Sequence, residues 1–367
     1  MSRGFEAVRR LCSEAVSAGV VPGAVVLVSA DGRTVFHEAF GLRQRVPVPL
    51  DATVDTIYDV ASVTKAVVTS VLAMQAVGSG TLRLEDAVVT HLPEFTGEGK
   101  SLVTVRHLLS HASGLPAHRP FYERVPPGPS ESQRRLEIFM AAAREPLTAP
   151  PGARSVYTDL GFILLGWILE RLGGARMDRQ AQRTIFQPLG LTATAFAPVD
   201  SAAPWPEASP IAATEHCPVR ERMVVGQVHD LNALALGGVA GHAGLFSTAS
   251  DLAALARALR AAWHGDAGAA GVERDVIREF WRPAGVPDSN WRLGWDGPAA
   301  RDSQAGALIA RAAVGHLGFT GCSLWIDPAS DRFVVLLSNR IHPTVRDDPR
   351  FRAFRPALHD AAFAALA

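Results

Sequence analysis

Apolar residues recur at helical spacing over residues 4 to 18 (Phe5, Val8, Leu11, Cys12, Val16), and Gly19 ends the run. Two strand-like runs follow, Gly23–Ala30 and Thr34–Phe40. The Asp31-Gly32 pair between them predicts a β-hairpin. From Ser62 to about Gly78 the period is helical again, and Ser79-Gly80 breaks it. As far as about residue 280, helical stretches alternate with Pro- and Gly-rich connections, the clearest at about 104–112, 131–144, 158–173 and 249–264. Residues 113–130 and 195–245 read as irregular loops. The last part turns β-like, with strands expected at Leu308–Val314, Cys322–Asp327 and Phe333–Ser338, and a helix over about 351–366 closes the chain.

Strand-bearing ends around a helical middle predict a mixed α/β (α+β) fold. An antiparallel sheet flanked by the N- and C-terminal helices would comprise residues 1–60 and 281–367, with residues 61–280 inserted as a mostly helical lobe. A cleft between two such lobes is a common home for a small-molecule site. The sequence shows neither internal repeats nor low-complexity segments.

Composition narrows the function. Acidic and basic residues balance at 36 each in 367 residues, so charge gives no reason to expect nucleic acid or an anionic membrane as partner. The longest apolar runs are strand-sized and too short to span a bilayer. The start, Met1-Ser-Arg-Gly-Phe-Glu, lacks an apolar stretch ending in a small-residue cleavage site, so a soluble, cytoplasmic protein is expected. Three cysteines (Cys12, Cys217, Cys322) make no disulfide framework.

One bias in the composition bears on chemistry. Of the 36 basic residues only two are lysine, Lys65 and Lys100. A lysine that persists where arginine has replaced the rest invites a chemical reading, because lysine can give up its proton and arginine cannot. Lys100, in Gly97-Glu-Gly-Lys, reads as a solvated loop charge. Lys65 follows Ser62 by three residues at the start of a predicted helix, which puts both on one face. The helix end favours negative charge developing near Ser62, and a lysine in this apolar setting can have its pKa depressed and take the serine proton. Tyr157, one of three tyrosines, stands in Ser155-Val-Tyr-Thr-Asp159 and can relay protons if the lysine lowers its pKa. Gly315-His-Leu-Gly-Phe-Thr-Gly321 allows a backbone to pass close to a ligand. There the Phe319 N–H can join that of Ser62 as an oxyanion donor, with His316 facing the substrate.

Ser-x-x-Lys at 62, Tyr-x-Asp at 157 and His-x-Gly at 316, in this order, resemble the three signature elements of the class C β-lactamase, penicillin-binding protein and family VIII esterase group. Leu108–Pro116, Pro188–Leu191, Gly244–Leu252, Leu293–Trp295 and Leu324–Pro328 extend the likeness over nearly the whole chain. The resemblance implies a β-lactamase/transpeptidase-like fold and an ester or amide hydrolase working through an acyl-enzyme on Ser62. Lys65 and Tyr157 would handle protons, Ser62 and Phe319 would hold the oxyanion, and Asp159, His316 and Gly318 would border the substrate. No cofactor or metal is implied, and the expected partner is a small ester, amide or cell-wall peptide.

Two departures bear on substrate. Members that bind β-lactams typically carry Tyr-x-Asn and Lys-Thr-Gly, whereas Asp159 and His316-Leu-Gly318 stand here. Ionised Asp159 can only accept hydrogen bonds and would keep Lys65 protonated, and His316 is mostly neutral near pH 7. Both favour ester or amide substrates over efficient penicillin hydrolysis. Glu215-His-Cys-Pro, Val228-His-Asp-Leu-Asn232 and Gly237–Gly244 resemble the matching stretch of muropeptide-recovery amidases, which cleave N-acetylmuramic acid from L-alanine. Three alternatives therefore stand beside a general esterase or amidase: a muropeptide amidase, a true class C-type β-lactamase, and a non-hydrolytic sensor of β-lactams or peptides. A metal-assisted hydrolase using His229, Asp230 and His242 fits no standard ligand spacing, so these residues are expected to brace the cleft mouth by hydrogen bonds.

Overall fold

Gly23–Ala30 is apolar at nearly every position because it becomes a central strand covered on both faces. The computed structural model describes residues 3–125, 130–199, 201–266, 268 and 270–366. Met1, Ser2, residues 126–129 of the loop expected at 113–130, and Asp200 of that expected at 195–245 lie outside them. The strands are β1 (Gly23–Ala30), β2 (Arg33–Gln44), β3 (Leu50–Asp51), β4 (Tyr58–Asp59), β5 (Ala195–Phe196), β6 (His216–Cys217), β7 (Arg222–Met223), β8 (Leu245–Ser247), β9 (Val314–Leu317), β10 (Ser323–Asp327) and β11 (Arg332–Ser338). A six-stranded sheet runs β3-β2-β1-β11-β10-β9, antiparallel at each pairing. The N-terminal hairpin and the C-terminal strands thus share one sheet, with Ala24 opposite Ser338.

Alternation along β1 divides two cores. Val26 and Val28 join Val334 and Leu336 under the helices Glu6–Ser17 and Pro349–Ala364. Val25 and Leu27 join Val335 and Leu337 in the larger core, which includes the helix Ala249–His264. The middle of the chain is mainly helical, but β4, β8 and β5 form a small sheet of their own, and β6 pairs with β7. Thr248 caps the helix Ala249–His264 by accepting from the Asp251 N–H, as its sequence suggests. Among the described residues no helix is long and apolar enough to cross a membrane.

Two expectations need correction. The strand read at Leu308–Val314 lies instead at Val314–Leu317, where Gly315 pairs with both Asp296 and Trp325. A Cβ at Gly315 would come 2.3 Å from the Trp325 ring, so the glycine is what lets this edge approach. Lys100 is buried rather than solvated, with 1 % of its surface exposed. Its ammonium lies 4.8 Å above the Phe95 ring and donates to the Ala143 carbonyl at the C-terminal end of the helix Glu131–Arg144.

Candidate active site

Ser62 sits on the turn between β4 and the helical segment that carries Lys65. The turn is fixed from both sides. Asp59 accepts from the Ala61 N–H (2.8 Å) through Oδ1 and from the His229 N–H (2.7 Å) through Oδ2. Thr64 Oγ1 donates to the Ala61 carbonyl at 2.6 Å. These bonds hold Ala61 at φ 48°, a left-handed conformation that alanine rarely adopts, immediately before Ser62. Lys65–Ser70 then winds as a wide π-type turn before Val71–Gly78 becomes α-helical. Ser70 Oγ bonds the Lys65 carbonyl (2.8 Å) and Thr69 Oγ1 the Gly241 carbonyl (2.6 Å), which seats the segment.

Lys65 is fully buried, and its ammonium donates to Ser62 Oγ at 3.0 Å, Tyr157 OH at 2.7 Å, Asp159 Oδ1 at 2.8 Å and the His242 carbonyl at 3.1 Å. The depressed pKa expected from the apolar setting is not found: burial opposes the charge, but the Asp159 carboxylate and Tyr157 outweigh that penalty and hold the pKa above the ordinary value. Asp159 is held well below the usual carboxylate range. Its own burial is overcome by Lys65 and by His118, whose Nδ1 lies 3.4 Å from Oδ2. Tyr157 differs from expectation. Burial of its hydroxyl pushes the phenol up and outweighs the pull of the ammonium.

Tyr157 and Asp159 flank Thr158, the cap of the helix Asp159–Gly173. Thr158 Oγ1 donates to the Pro116 carbonyl and accepts from the Leu160 N–H. Two rings that no local pattern points to, His111 and Trp291, pack on Tyr157 at 4.7 and 5.4 Å between centroids. His111 Nδ1 accepts from the Thr158 N–H (3.1 Å), and burial, then the charge of Lys65, keeps this ring neutral. Local spacing carries no sign of this packing, since both contacts are made across the fold.

The turn after β9 is zipped to the segment before Ser62. Thr320 Oγ1 donates to the Asp59 carbonyl at 2.8 Å, and a Cβ on Gly318 would meet the Val60 carbonyl oxygen at 2.5 Å. This close passage brings Phe319 to the same cleft as Ser62. Among the described residues neither the Ser62 nor the Phe319 N–H has a protein acceptor. His316 is buried, with Nδ1 donating to the Leu317 carbonyl (2.8 Å) and Nε2 unpartnered. Burial and Lys65 push its pKa down to about 3, so the ring is neutral near pH 7 and presents an acceptor.

Ser62, Tyr157, Asp159, Trp291, His316 and Phe319 border one cavity of about 700 Å³, and Lys65 and His111 are buried behind that lining. A larger hollow of about 920 Å³, beside Pro298–Ile309 and the C-terminal helix, contains none of them. His229 and His242 of the middle segment fall into separate pairs, His229 Nε2 with Glu215 (2.9 Å) and His242 Nε2 with Asp230 (2.9 Å). Glu215, His229, Asp230 and Asn232 line the cavity, and Asn232 ties the loop at Arg119 and Tyr122 to it. Among the described residues no group of three or more His, Cys, Asp or Glu side chains converges as metal ligands do. Asp296, another cavity residue the sequence did not single out, accepts from Asn290 Nδ2, and burial pushes its carboxyl up to about 7.

A family model described as Beta-lactamase matches residues 8–357. The chain belongs to the β-lactamase family. A curated relative in this family, named "Putative D-alanyl-D-alanine carboxypeptidase" in Escherichia coli (strain K12), is 32 % identical over 365 residues, covering 92 % of this chain and 82 % of the relative. The solved structure of SurE is 28 % identical with a TM-score of 0.71, over 98 % of this chain and 76 % of that one. EstCE1, described as a hydrolase with promiscuous acyltransferase activity, superposes with a TM-score of 0.75 at 22 % identity over 98 % of both chains, a likeness of fold. As a β-lactamase-family member this chain is a serine hydrolase that cleaves ester or amide bonds through an acyl-enzyme.

Proposed function

We propose that Ser62 is the nucleophile, with Lys65 and Tyr157 moving protons and the Ser62 and Phe319 N–H groups holding the oxyanion. The observation that carries this reading is the position of the Lys65 ammonium, within hydrogen-bond reach of both Ser62 Oγ and Tyr157 OH at the floor of the cleft. With Lys65 kept cationic by Asp159 and Tyr157 kept neutral by burial, the natural route is a relay. As Ser62 Oγ attacks the carbonyl, its proton passes to the Tyr157 oxygen while the phenolic proton goes to the leaving group. The phenol is neutral before and after, and the ammonium stabilises its oxygen in transit. In deacylation water takes the leaving group's place and the same steps run backwards, returning the proton to Ser62.

His316, neutral and with a free acceptor, suits a substrate N–H or O–H and does not grip a carboxylate as a lysine would. This supports ester and peptide substrates over penicillins. The finer substrate class we propose is a small peptide or ester built on a D-amino acid, such as a cell-wall peptide. It draws on the carboxypeptidase name of the Escherichia coli relative and on a second SurE structure described as containing D-Leu. Residues 1–60 with 281–367, and residues 61–280, are proposed as the two lobes flanking the cleft. The three buried free thiols support the cytoplasmic placement within the same proposal.

The test compares wild type with Ser62→Ala on p-nitrophenyl butyrate, nitrocefin, a muramyl-L-alanyl peptide and an acyl-D-alanyl-D-alanine peptide, with intact-mass detection of adducts. Ser62-dependent turnover with an acyl adduct on the wild type is expected, fastest on the ester or the D-alanyl peptide. Turnover that survives in Ser62→Ala, or an adduct on another residue, overturns the assignment.

A further inference from the structure

Residues 289–297 form an irregular strap that is tied to each of the three segments bearing the acylation chemistry. Ser289 Oγ donates to Ser155 Oγ at 2.9 Å, and Ser155 Oγ donates in turn to the Ser110 carbonyl at 3.0 Å. These bonds fasten the strap two residues before Tyr157 and one before His111. The Gly294 N–H donates to the Leu109 carbonyl at 2.7 Å, and a Cβ on Gly294 would run into Ser70 Oγ, the hydroxyl that bonds the Lys65 carbonyl. Asp296 exchanges both backbone bonds with Gly315, at 2.7 and 2.9 Å, beside His316. Asn290 Nδ2 closes the strap on itself by donating to Asp296 Oδ1 and to the Gly297 carbonyl.

The strap carries Trp291, whose N–H donates to Ser289 Oγ at 3.1 Å. Its indole stacks on Tyr157, with 5.4 Å between centroids and 26° between planes, and meets the His111 ring edge-on at 4.4 Å. With the 4.7 Å contact of His111 on Tyr157, the three rings close a triangle. Tyr157 needs such support, because 36 % of its surface is exposed to the cavity side. The bond from Lys65 fixes the phenol oxygen from one direction only and leaves the ring free to swing about it. A group that hands protons between two oxygens tolerates little of this, since a misplacement of about 1 Å costs about 10² in rate.

We propose that Trp291 is a positioning residue for the proton relay: held by the strap, its indole braces the Tyr157 ring against His111 and keeps the phenol oxygen between Ser62 and the leaving group. The inference rests on Tyr157's being the relay and deepens that reading. Trp291 also borders the cavity. A platform on which substrate merely stacks would act on KM, whereas a brace for Tyr157 acts on kcat and acts only through the phenol.

The test follows p-nitrophenyl butyrate turnover in wild type, Trp291→Leu, Trp291→Phe, Tyr157→Phe and the double variant Tyr157→Phe/Trp291→Leu. Trp291→Leu should lower kcat at least about tenfold with KM within about twofold, and Trp291→Phe, which keeps a ring, should restore most of it. In the Tyr157→Phe background the same Trp291→Leu change should alter kcat by less than about twofold, because the phenol it acts through is gone. Equal losses in both backgrounds, or a loss confined to KM, overturn the brace. A second measurement needs no turnover. The chain has two other tyrosines, Tyr58 and Tyr122, so in [13Cζ]tyrosine-labelled protein Tyr157→Phe identifies the Tyr157 signal. Burial is the largest influence on this phenol and raises its pKa, so removing the indole should open it to water and let it ionise at lower pH in Trp291→Leu than in wild type. An unmoved titration overturns the proposal. Wild-type turnover in Tyr157→Phe would instead count against the relay reading, and the titration would still decide whether Trp291 places the phenol.

Discussion

Asp159 Oδ1 lies 2.8 Å from the ammonium of Lys65 and fixes that group in its charged form. Asparagine in place of Asp159 would remove the carboxylate that raises the Lys65 pKa, so the ammonium would lose its proton at lower pH. In the relay the ammonium must be charged. The alkaline limb of the kcat/KM profile in Asp159→Asn should therefore move to lower pH, with the acid limb little changed. A profile whose acid limb moves down instead would make neutral Lys65 the base and discard the relay.

Ser62→Ala should abolish acyl transfer and the mass adduct while leaving Tm close to wild type, since the hydroxyl is not part of either core. Lys65→Arg keeps the charge but forces a larger planar group into a fully buried site, and kcat/KM should fall at least about 100-fold. Lys65→Ala should also destabilise the fold, by about 3 kcal/mol, because Asp159 loses its buried partner. Intact-mass detection and kcat/KM measurements check the first two expectations, and denaturant unfolding beside wild type checks the stability of Ser62→Ala and Lys65→Ala.

Gly318→Ala tests the oxyanion arrangement without touching a polar side chain. The new methyl would collide with the Val60 backbone and push Phe319 away from Ser62. Loss of one well-placed oxyanion donor typically costs about 10²–10³ in kcat, so an effect of that order with little change in KM is expected. Near-wild-type turnover would mean that Phe319 is not a donor.

Asp296 offers a stability test with a defined sign. Its folded pKa of about 7 lies above the ordinary carboxylate value. Its contribution is therefore fully present below about pH 4 and is lost as pH rises toward and through 7, where the buried group must ionise. Asp296→Asn keeps an acceptor for Asn290 without the charge. It should stabilise the protein at pH 8 relative to pH 4 by on the order of 2 kcal/mol compared with wild type. Thermal melts of both proteins at the two pH values measure this, and equal differences at both would refute it.

Local pattern carried much of this architecture. Residues 159–173 could be read as a helix because an apolar run follows a threonine cap and ends before a left-handed glycine, Gly174. The strands near both ends stood out as short β-branched runs, and only a common sheet buries both faces of β1. Ser62, Lys65 and Tyr157 were visible through residue scarcity and spacing. The strand near 314 was misplaced because Ala and Leu around 308 look strand-like, whereas pairing there is decided by Asp296 and Trp325. His111, His118, Trp291 and Asp296 act through contacts with distant segments, and no local spacing encodes such contacts. Lys100 looked solvated for the same reason, since Phe95 and the helix end at Ala143 are brought to it by the fold.

The pairing of β1 with β11 also has a consequence for biosynthesis. Ala24 leaves the ribosome about three hundred residues before Ser338, its partner across the strand pair. At about 5–20 residues per second that interval is at least roughly 15 s. For that time an apolar strand, destined for cover on both faces, has only its hairpin mate β2 and an open hydrogen-bonding edge. A nascent chain interrupted before the last eighty residues would never close that edge, so truncated products of this gene should be prime substrates for chaperones and proteases.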